Sequence, residues 1–170
     1  QMLDALKTAE LALTRRPGSL RICWETNGNM NPRLAKRAAE ISLRSGGCVK
    51  FDLKAWTETL HRCLTAASNR QTLDNFRMVA EMGVSRRRPP LVIASILLTP
   101  GYLDDTEMTQ LGRFIASVDP EIPCSLLAFH PDFYFSDLPT TSQAHAQRAE
   151  TICRESGLRN IHIGNRHLLG

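Results

Sequence analysis

The sequence lacks closely spaced cysteines. Zinc and iron–sulfur motifs place their cysteines only a few positions apart, so no such motif is present here. Thiols spread this widely are typical of a reducing compartment, which predicts a cytoplasmic protein. Three of them (Cys23, Cys48 and Cys124) lie in apolar runs, where a small buried thiol is expected. The five cysteines are Cys23, Cys48, Cys63, Cys124 and Cys153.

Long apolar runs are also missing, because none approaches the ~20 residues that a membrane-spanning helix needs. Hydrophobic residues make up 42% and charged residues 22% of the chain, which predicts a single folded domain over residues 1–170. The net charge is only +4, and the one dense basic cluster is Arg86-Arg87-Arg88. No aromatic residues interleave with these arginines, as they do in RNA-binding surfaces. We therefore expect neither a nucleic-acid partner nor a membrane.

What the sequence does contain is an alternation of short apolar segments with helical patterns. The apolar segments predict strands, and strands that alternate with helices favour a parallel sheet with right-handed crossovers. Helix ends are marked as well: Asn31-Pro32 begins one helix, Gly46 ends it, and Asp105 caps a later one. The predicted strands are Leu20–Trp24, Cys48–Leu53, Leu91–Leu98, Cys124–Phe129 and Asn160–Gly164.

The number of strands defines the fold class. A closed parallel barrel has eight strands and takes about 250 residues. The sequence therefore predicts an α/β fold that is a section of a (βα) barrel, with about five strands and helices on one face. The first strand would then be an exposed edge, and an exposed edge can pair with a second copy in a homodimer.

Polar residues follow several of the predicted strands. Glu25 and Asn27 follow the first strand, Asp52 and Lys54 end the second, and His130 follows the fourth. Ligands of parallel α/β folds bind beyond the carboxyl ends of the strands. A single carboxylate or histidine in such a place is commonly structural, but together these residues predict a binding site. We expect the side chains of Glu25, Asp52, Lys54 and His130 to meet in one cleft.

The strings at these strand ends resemble a known family. They are similar, in order and with sensible gaps, to radical S-adenosylmethionine proteins, above all to pyruvate formate-lyase activating enzymes and AmmeMemoRadiSam proteins. A helix-turn-helix string and a closing strand, LHRCLTAASNRQTLDNF and GLRNIHIGN, extend the resemblance over almost the whole chain. The four strand-end strings are WETNG (Trp24–Gly28), FDLKAW (Phe51–Trp56), SILLTPG (Ser95–Gly101) and LLAFHPDF (Leu126–Phe133).

The resemblance implies a partial βα barrel of six strands with S-adenosylmethionine at its carboxyl rim. Lys54 would meet the carboxylate of the cofactor, beside Asp52, and His130 would contact its nucleoside part. The acidic residue Glu25 and, with less support, Asn27 would also bind the cofactor. Glu25 and Asp52, together with Thr26, could coordinate a monovalent cation.

The sequence departs from the family in two respects. Relatives often carry an arginine a few positions before the PG turn, and Ser95 stands at that place. The three-cysteine motif CxxxCxxC and the GGEP segment of the family are also absent. We therefore expect this chain to be the C-terminal portion of such a protein, without ligands for the 4Fe–4S cluster, which would belong to the full-length parent.

The implied activity of the full-length parent is the reductive cleavage of S-adenosylmethionine to a 5′-deoxyadenosyl radical. The radical would abstract a hydrogen atom from a partner, by resemblance a glycyl radical enzyme, and the chain alone would be inactive. Two alternatives remain open. Lys54 could form a Schiff base in an aldolase-type lyase, which borohydride would trap. The chain could also be a non-catalytic, degenerate binding module.

Overall fold

The computed structural model describes residues 1–86, 88–132 and 135–170. Two sequence features extend beyond them. The basic cluster includes Arg87, and the fourth strand-end string includes Phe133, and both of these residues lie outside the described ranges. Within those ranges, no helix is long and apolar enough to cross a membrane.

Five parallel strands form one sheet, in the order in which they occur along the chain. The predicted α/β class and the parallel alternation are therefore confirmed. Strand β1 stands at one edge of the sheet, as predicted, and pairs in register with β2, Glu25 opposite Lys50. The strands are β1 (Trp24–Thr26), β2 (Val49–Asp52), β3 (Val92–Leu98), β4 (Cys124–Ala128) and β5 (Ile161–Gly164).

The first strand is shorter and lies later than predicted. Residues of the predicted strand before Trp24 bond to a helix end instead of a neighbouring strand. The Ile22 amide donates to Ser45 Oγ (3.0 Å), and the Ile22 carbonyl accepts from Ser42 Oγ (2.8 Å). Glu25 therefore lies inside β1, and the prediction that it follows the strand is wrong.

Among the described residues, six α-helices precede or connect the strands, and most of the helix ends named from the sequence agree with the structure. Asn31 caps α2 through its side chain, which accepts from the Arg33 amide at 2.9 Å, and Gly46 ends that helix in the left-handed conformation. Asp104, not Asp105, caps α5. The helices are α1 (Met2–Arg15), α2 (Pro32–Ser45), α3 (Glu58–Thr65), α4 (Arg70–Met82), α5 (Asp105–Val118) and α6 (Gln143–Glu155).

The chain divides into two compact units, and the prediction of a single domain over 1–170 stays a prediction. The first unit comprises Gln1–Phe51 and Arg70–Ile93. Its core joins the apolar face of α1 to that of α2, with Leu6 and Ile41 fully buried. Burying side chains of this size stabilises a fold by about 1.5–3 kcal/mol each.

The second unit comprises Asp52–Asn69 and Ala94–Gly170. Helices α5 and α6 pack closely there, because Gly112 has no side chain that would keep them apart. A Cβ at Gly112 would lie 2.9 Å from the Cβ of Ser156. Buried apolar residues of the two helices, such as Leu111 and Ile152, complete the contact with the core.

The basic cluster has a structural role at its first residue. The Arg86 guanidinium donates to the carbonyls of Ser42 (3.2 Å) and Leu43 (3.4 Å), which belong to the last turn of α2, and to that of Gly47. A cation at this position satisfies carbonyls that the helix leaves unpaired and interacts favourably with the helix dipole. Arg86 is therefore partly buried against α2.

Candidate functional site

The end of β2 carries an ion pair. Asp52 is the last residue of the strand, and Lys54 follows two positions later with its Nζ 3.1 Å from Asp52 Oδ2. Burial alternates along this segment: Phe51, Leu53 and Ala55 are buried, whereas Asp52 and Lys54 are half-exposed. Lys54 is therefore partly buried beside a carboxylate. The strand stops at Asp52, so Lys54 lies just beyond it.

Two buried polar side chains hold the backbone that follows Lys54. The Glu107 carboxylate, in the first turn of α5, accepts hydrogen bonds from the amides of Trp56 (2.6 Å) and Thr57 (3.1 Å). The Asn69 side-chain amide donates to the carbonyls of Ala55 and Trp56. Sequence reasoning missed both residues. The only sequence signal is Glu107 three positions after the capping Asp104, where a capping box places an acidic residue.

Glu25 pairs with a residue that the sequence did not single out. Glu25 is well exposed, and its carboxylate accepts from Lys50 Nζ at 3.4 Å. Lys50 lies directly opposite on β2, and its side chain is 22% exposed. Side chains at opposing positions of neighbouring strands point to the same face of a sheet, which brings these two charges together. The structure thus adds Lys50 to the charged residues of β1 and β2.

The turn after β1 is built by its own polar side chains. Thr26 Oγ1 accepts from the Gly28 amide (3.0 Å), and Asn27 Oδ1 accepts from the Asn29 amide (3.1 Å). Such bonds are typical of turns formed by threonine and asparagine. Asn27 therefore shapes the turn, and its role in cofactor binding, like that of Thr26 in cation binding, stays a prediction.

Side chains of helix α4 hold the same turn through hydrogen bonds. Thr72 Oγ1 donates to the Asn27 carbonyl (2.8 Å), and the Asn75 side chain donates to the carbonyls of Gly28 and Met30 (both 2.8 Å). Thr72 and Asn75 are buried. Both belong to the helix-turn-helix string of the resemblance, so that string contributes residues that position the turn.

His130 lies two residues beyond the end of β4, and its side chain is 50% exposed. Its Nδ1 is 3.5 Å from Asp132 Oδ2. The buried Thr141 fixes the chain just before it: the hydroxyl accepts from the Phe129 amide and donates to the Leu98 carbonyl, both at 2.7 Å. His130 is thus an accessible imidazole on a well-fixed strand end, and its convergence with Glu25, Asp52 and Lys54 stays a prediction.

Ser95, which replaces the family arginine, is buried on β3. Its hydroxyl has no hydrogen-bond partner among the described residues, and its backbone carbonyl accepts from the Leu53 amide at 2.8 Å. A serine hydroxyl cannot supply the positive charge of an arginine.

The cysteines form pairs instead of a group of three. The Cys23 thiol is close enough to Cys48 to raise the pKa of Cys48, and the Cys153 thiol is close enough to Cys124 to raise the pKa of Cys124. Burial and the contact with Cys23 raise the pKa of Cys48 to about 11. The prediction that Cys23 is buried is wrong, because it is exposed before the short edge strand; Cys124 is buried as expected.

A 4Fe–4S cluster does not fit this arrangement, since it needs three or four thiolates around one site. Among the residues that the structure describes, no three histidine, cysteine, aspartate or glutamate side chains are grouped as a metal site.

Comparison with solved structures identifies proteins of similar architecture. A domain of pyruvate-formate lyase-activating enzyme from Bacteroides vulgatus ATCC 8482 matches 96% of this chain, with a TM-score of 0.75 and 20% sequence identity. The match covers 93% of that domain. The chain has the fold of that domain. The fold that the strand-end strings predicted is therefore confirmed.

A second solved structure shows the same architecture within a longer protein. A radical SAM methyltransferase from Sphaerobacter thermophilus matches 86% of this chain at 19% identity and a TM-score of 0.65. This chain spans 40% of the methyltransferase. The sequence matches no protein-family model and no curated protein.

The side chains of Asp52, Lys54 and His130 suit S-adenosylmethionine as a ligand. The cofactor carries a carboxylate, an ammonium, a sulfonium, ribose hydroxyls and an adenine. The half-exposed Asp52–Lys54 pair offers one charge of each sign, and the exposed imidazole of His130 offers a hydrogen-bonding ring. A lysine ammonium pairs well with a carboxylate, and a carboxylate pairs well with an ammonium or sulfonium.

Proposed function

We propose that this chain is the S-adenosylmethionine-binding part of a radical SAM enzyme of the glycyl-radical-activating kind. The observation that carries the proposal is the half-exposed ion pair of Asp52 and Lys54 at the end of β2. This chain holds that pair in a fold that nearly its whole length shares with an activating-enzyme domain. The carboxyl ends of parallel strands are where α/β folds bind their ligands. The four strand-end strings of the sequence support the same assignment.

Each polar residue of the region takes a separate part of the ligand. Lys54 binds the carboxylate of the methionine moiety, and Asp52 orients Lys54 while its second oxygen accepts from the ammonium. His130 contacts the nucleoside, and Glu25 faces positive charge, either the cofactor or a monovalent cation shared with Thr26 and Asp52. Asn27 keeps the turn at Gly28 in shape. When bound and reduced, S-adenosylmethionine supplies a 5′-deoxyadenosyl radical for hydrogen abstraction.

The other components belong to the full-length protein and its surroundings. The paired cysteines of this chain do not suit a 4Fe–4S cluster, so we assign the cluster to the full-length parent. We propose a glycyl radical enzyme in the cytoplasm as the acceptor of the radical, since activating enzymes act on protein partners. The exposed edge at β1 would suit a homodimer, in which two edges pair through their backbone groups.

Binding measurements on the full-length protein test the cofactor site. Replacing Lys54 or Asp52 by alanine should weaken S-adenosylmethionine binding at least roughly tenfold, about 1.4 kcal/mol, because a charged contact is lost. Isothermal titration calorimetry under anaerobic conditions measures the affinity. Lys36→Ala is the control, because it removes the same charge from an exposed position of α2. Unchanged affinity in both Lys54→Ala and Asp52→Ala would refute the assignment.

A second experiment tests the finer assignment of the partner. The reduced full-length protein is mixed with S-adenosylmethionine and candidate glycyl radical enzymes. We expect 5′-deoxyadenosine to form together with the electron paramagnetic resonance signal of a glycyl radical on the partner. Formation of 5′-deoxyadenosine without any protein radical would retain the radical SAM assignment and overturn the activating role.

A further inference from the structure

The thiols of Cys23 and Cys48, near the edge of the sheet, take no part in the proposed site. Trp24 lies opposite Val49 in the parallel pairing of β1 with β2, so the preceding residues, Cys23 and Cys48, are also opposite each other. The Trp24 amide donates to the Cys48 carbonyl at 2.9 Å, which holds Cys48 beside the start of β1. The Cys23 thiol is close enough to Cys48 to raise the pKa of Cys48.

This arrangement suits a disulfide. Neighbouring strands lie about 4.8 Å apart, and a disulfide needs about 4.4–6.8 Å between its Cα atoms. Opposing side chains on neighbouring strands point to the same face, so neither sulfur has to cross the sheet. Little movement of the backbone is therefore required to join them.

Exposure distinguishes this pair from the other neighbouring thiols, Cys124 and Cys153. Cys23 is exposed and Cys48 is half-buried, so a dissolved reagent reaches Cys23 first and leaves Cys48 beside it. Cys124 and Cys153 also interact with each other, but they are 1% and 0% exposed. Reactivity of a cysteine depends on access as well as on its charge state.

The charge of Arg86 partly offsets the burial that raises the pKa of Cys48 to about 11. The positive charge of Arg86 acts on the Cys48 sulfur in the direction that stabilises its thiolate. Arg86 Nε is buried and has no hydrogen-bond partner among the described residues. The guanidinium is held in place by the carbonyls of Ser42 and Leu43, so it keeps its position during the reaction.

We propose that Cys23 and Cys48 form a reactive dithiol that low-molecular-weight disulfides convert to an internal disulfide. The Cys23 thiolate attacks one sulfur of the reagent RSSR, forms a mixed disulfide and releases RS⁻. The Cys48 sulfur then attacks Cys23 and displaces the second RS⁻. The two thiol protons end on two RSH, the dithiol loses two electrons and the reagent gains them.

The product is a covalent link between β1, a three-residue edge strand, and β2. The link lies two residues before Glu25 on one strand and two residues before Lys50 on the other. The disulfide forms without the cofactor and does not rely on the proposed function. It is a covalent modification of this chain itself.

Treatment of the full chain with glutathione disulfide under anaerobic conditions tests the proposal. In Cys63→Ser, which lacks the other exposed thiol, we expect free thiols, measured after denaturation, to fall from four to two as one disulfide forms. Tryptic digestion should then release the peptide of residues 22–33 linked to that of residues 45–50. Cys124 and Cys153 should stay reduced over the same time, and the Cys23–Cys48 link should form at least about tenfold faster than any link between them.

Variants show which sulfur reacts first. Cys48→Ser should stop at a stable mixed disulfide on Cys23, whereas Cys23→Ser should give neither species at comparable rate. Cys153→Ser should behave as the wild type. Circular dichroism of each variant establishes that it is folded, and dithiothreitol should restore five free thiols in the wild type. Four free thiols after prolonged treatment of the folded Cys63→Ser variant, or equal rates for the two pairs, would overturn the proposal.

Discussion

At the scale of single residues, buried polar side chains position the candidate site by binding backbone groups at the strand ends. Thr72 and Asn75 hold the turn after β1, Glu107 and Asn69 hold the segment after Lys54, and Thr141 holds the end of β4. A buried amide or carbonyl that loses its partner costs about 1–3 kcal/mol. These residues therefore support the site without having to touch a ligand.

Gly28 is required by its backbone angle and by its surroundings. Its φ is +73°, and a Cβ would lie 2.8 Å from Phe51 and 2.9 Å from Thr72. Gly28→Ala should lower the free energy of unfolding by about 3–4 kcal/mol, from strain and overlap together. Gly18→Ala is the matched control, because Gly18 has a φ of +75° and nothing within 4 Å, so it should lose only about 1–2 kcal/mol. Urea unfolding measures both values, and equal losses would contradict the overlap at Gly28.

Glu107 fixes the segment that follows the Asp52–Lys54 pair. Glu107→Ala removes the partner of the Trp56 and Thr57 amides from partly buried hydrogen bonds, so the free energy of unfolding should fall by about 1–3 kcal/mol. The same change should weaken S-adenosylmethionine binding by the full-length protein, because Lys54 loses its support. Asp105→Ala removes an exposed acid from the same helical turn and should cost less than about 1 kcal/mol. Equal effects of the two variants would show that the buried hydrogen bonds carry no special role.

At the scale of elements, an ion pair joins α1 to α2. Arg37 donates to both carboxylate oxygens of Glu10, at 3.1 and 2.6 Å. The hydrogen bond with Arg37 lowers the pKa of Glu10 from its ordinary value of 4.5. The folded state therefore holds this proton less tightly than the unfolded state does. The pair contributes its full stability above pH 4.5 and loses it as the pH falls through the lowered pKa.

This linkage predicts a difference between the wild type and Glu10→Gln. The wild type should be the more stable of the two at pH 7, and the difference should shrink as the pH falls below 4.5. Thermal unfolding at a series of pH values measures it, and high salt should reduce the difference at pH 7 because both side chains are partly exposed. A difference that is the same at all pH values would argue against the ion pair.

At the scale of the whole molecule, the distribution of the cysteines limits what the chain can bind alone. Four of them lie in two interacting pairs, one in each compact unit, and Cys63 is exposed on α3. We expect anaerobic reconstitution with iron and sulfide to give no stoichiometric 4Fe–4S cluster in this chain. Absorption spectroscopy and iron analysis measure the outcome, with the full-length parent as the control. A stable, stoichiometric cluster in the chain alone would contradict this prediction.

The sequence by itself determined the order and type of nearly every element. Apolar segments, caps such as Asn31 and the glycine at Gly46 are local signals, because backbone propensity and capping act within a few residues. The same signals placed Asp52, Lys54 and His130 near the ends of their strands. The four strand-end strings gave the fold, which the comparison with solved structures confirmed.

Only the tertiary structure decided which groups meet. Strand β1 begins at Trp24 and not at Leu20, because Ile22 bonds to the end of α2, and pairing across a sheet cannot be read from one segment. The partners Glu25–Lys50, Cys23–Cys48 and Glu107–Thr57 are 25 to 50 positions apart in sequence. Such contacts depend on strand register and helix docking, which arise from packing of the whole core, so no local pattern in the sequence records them.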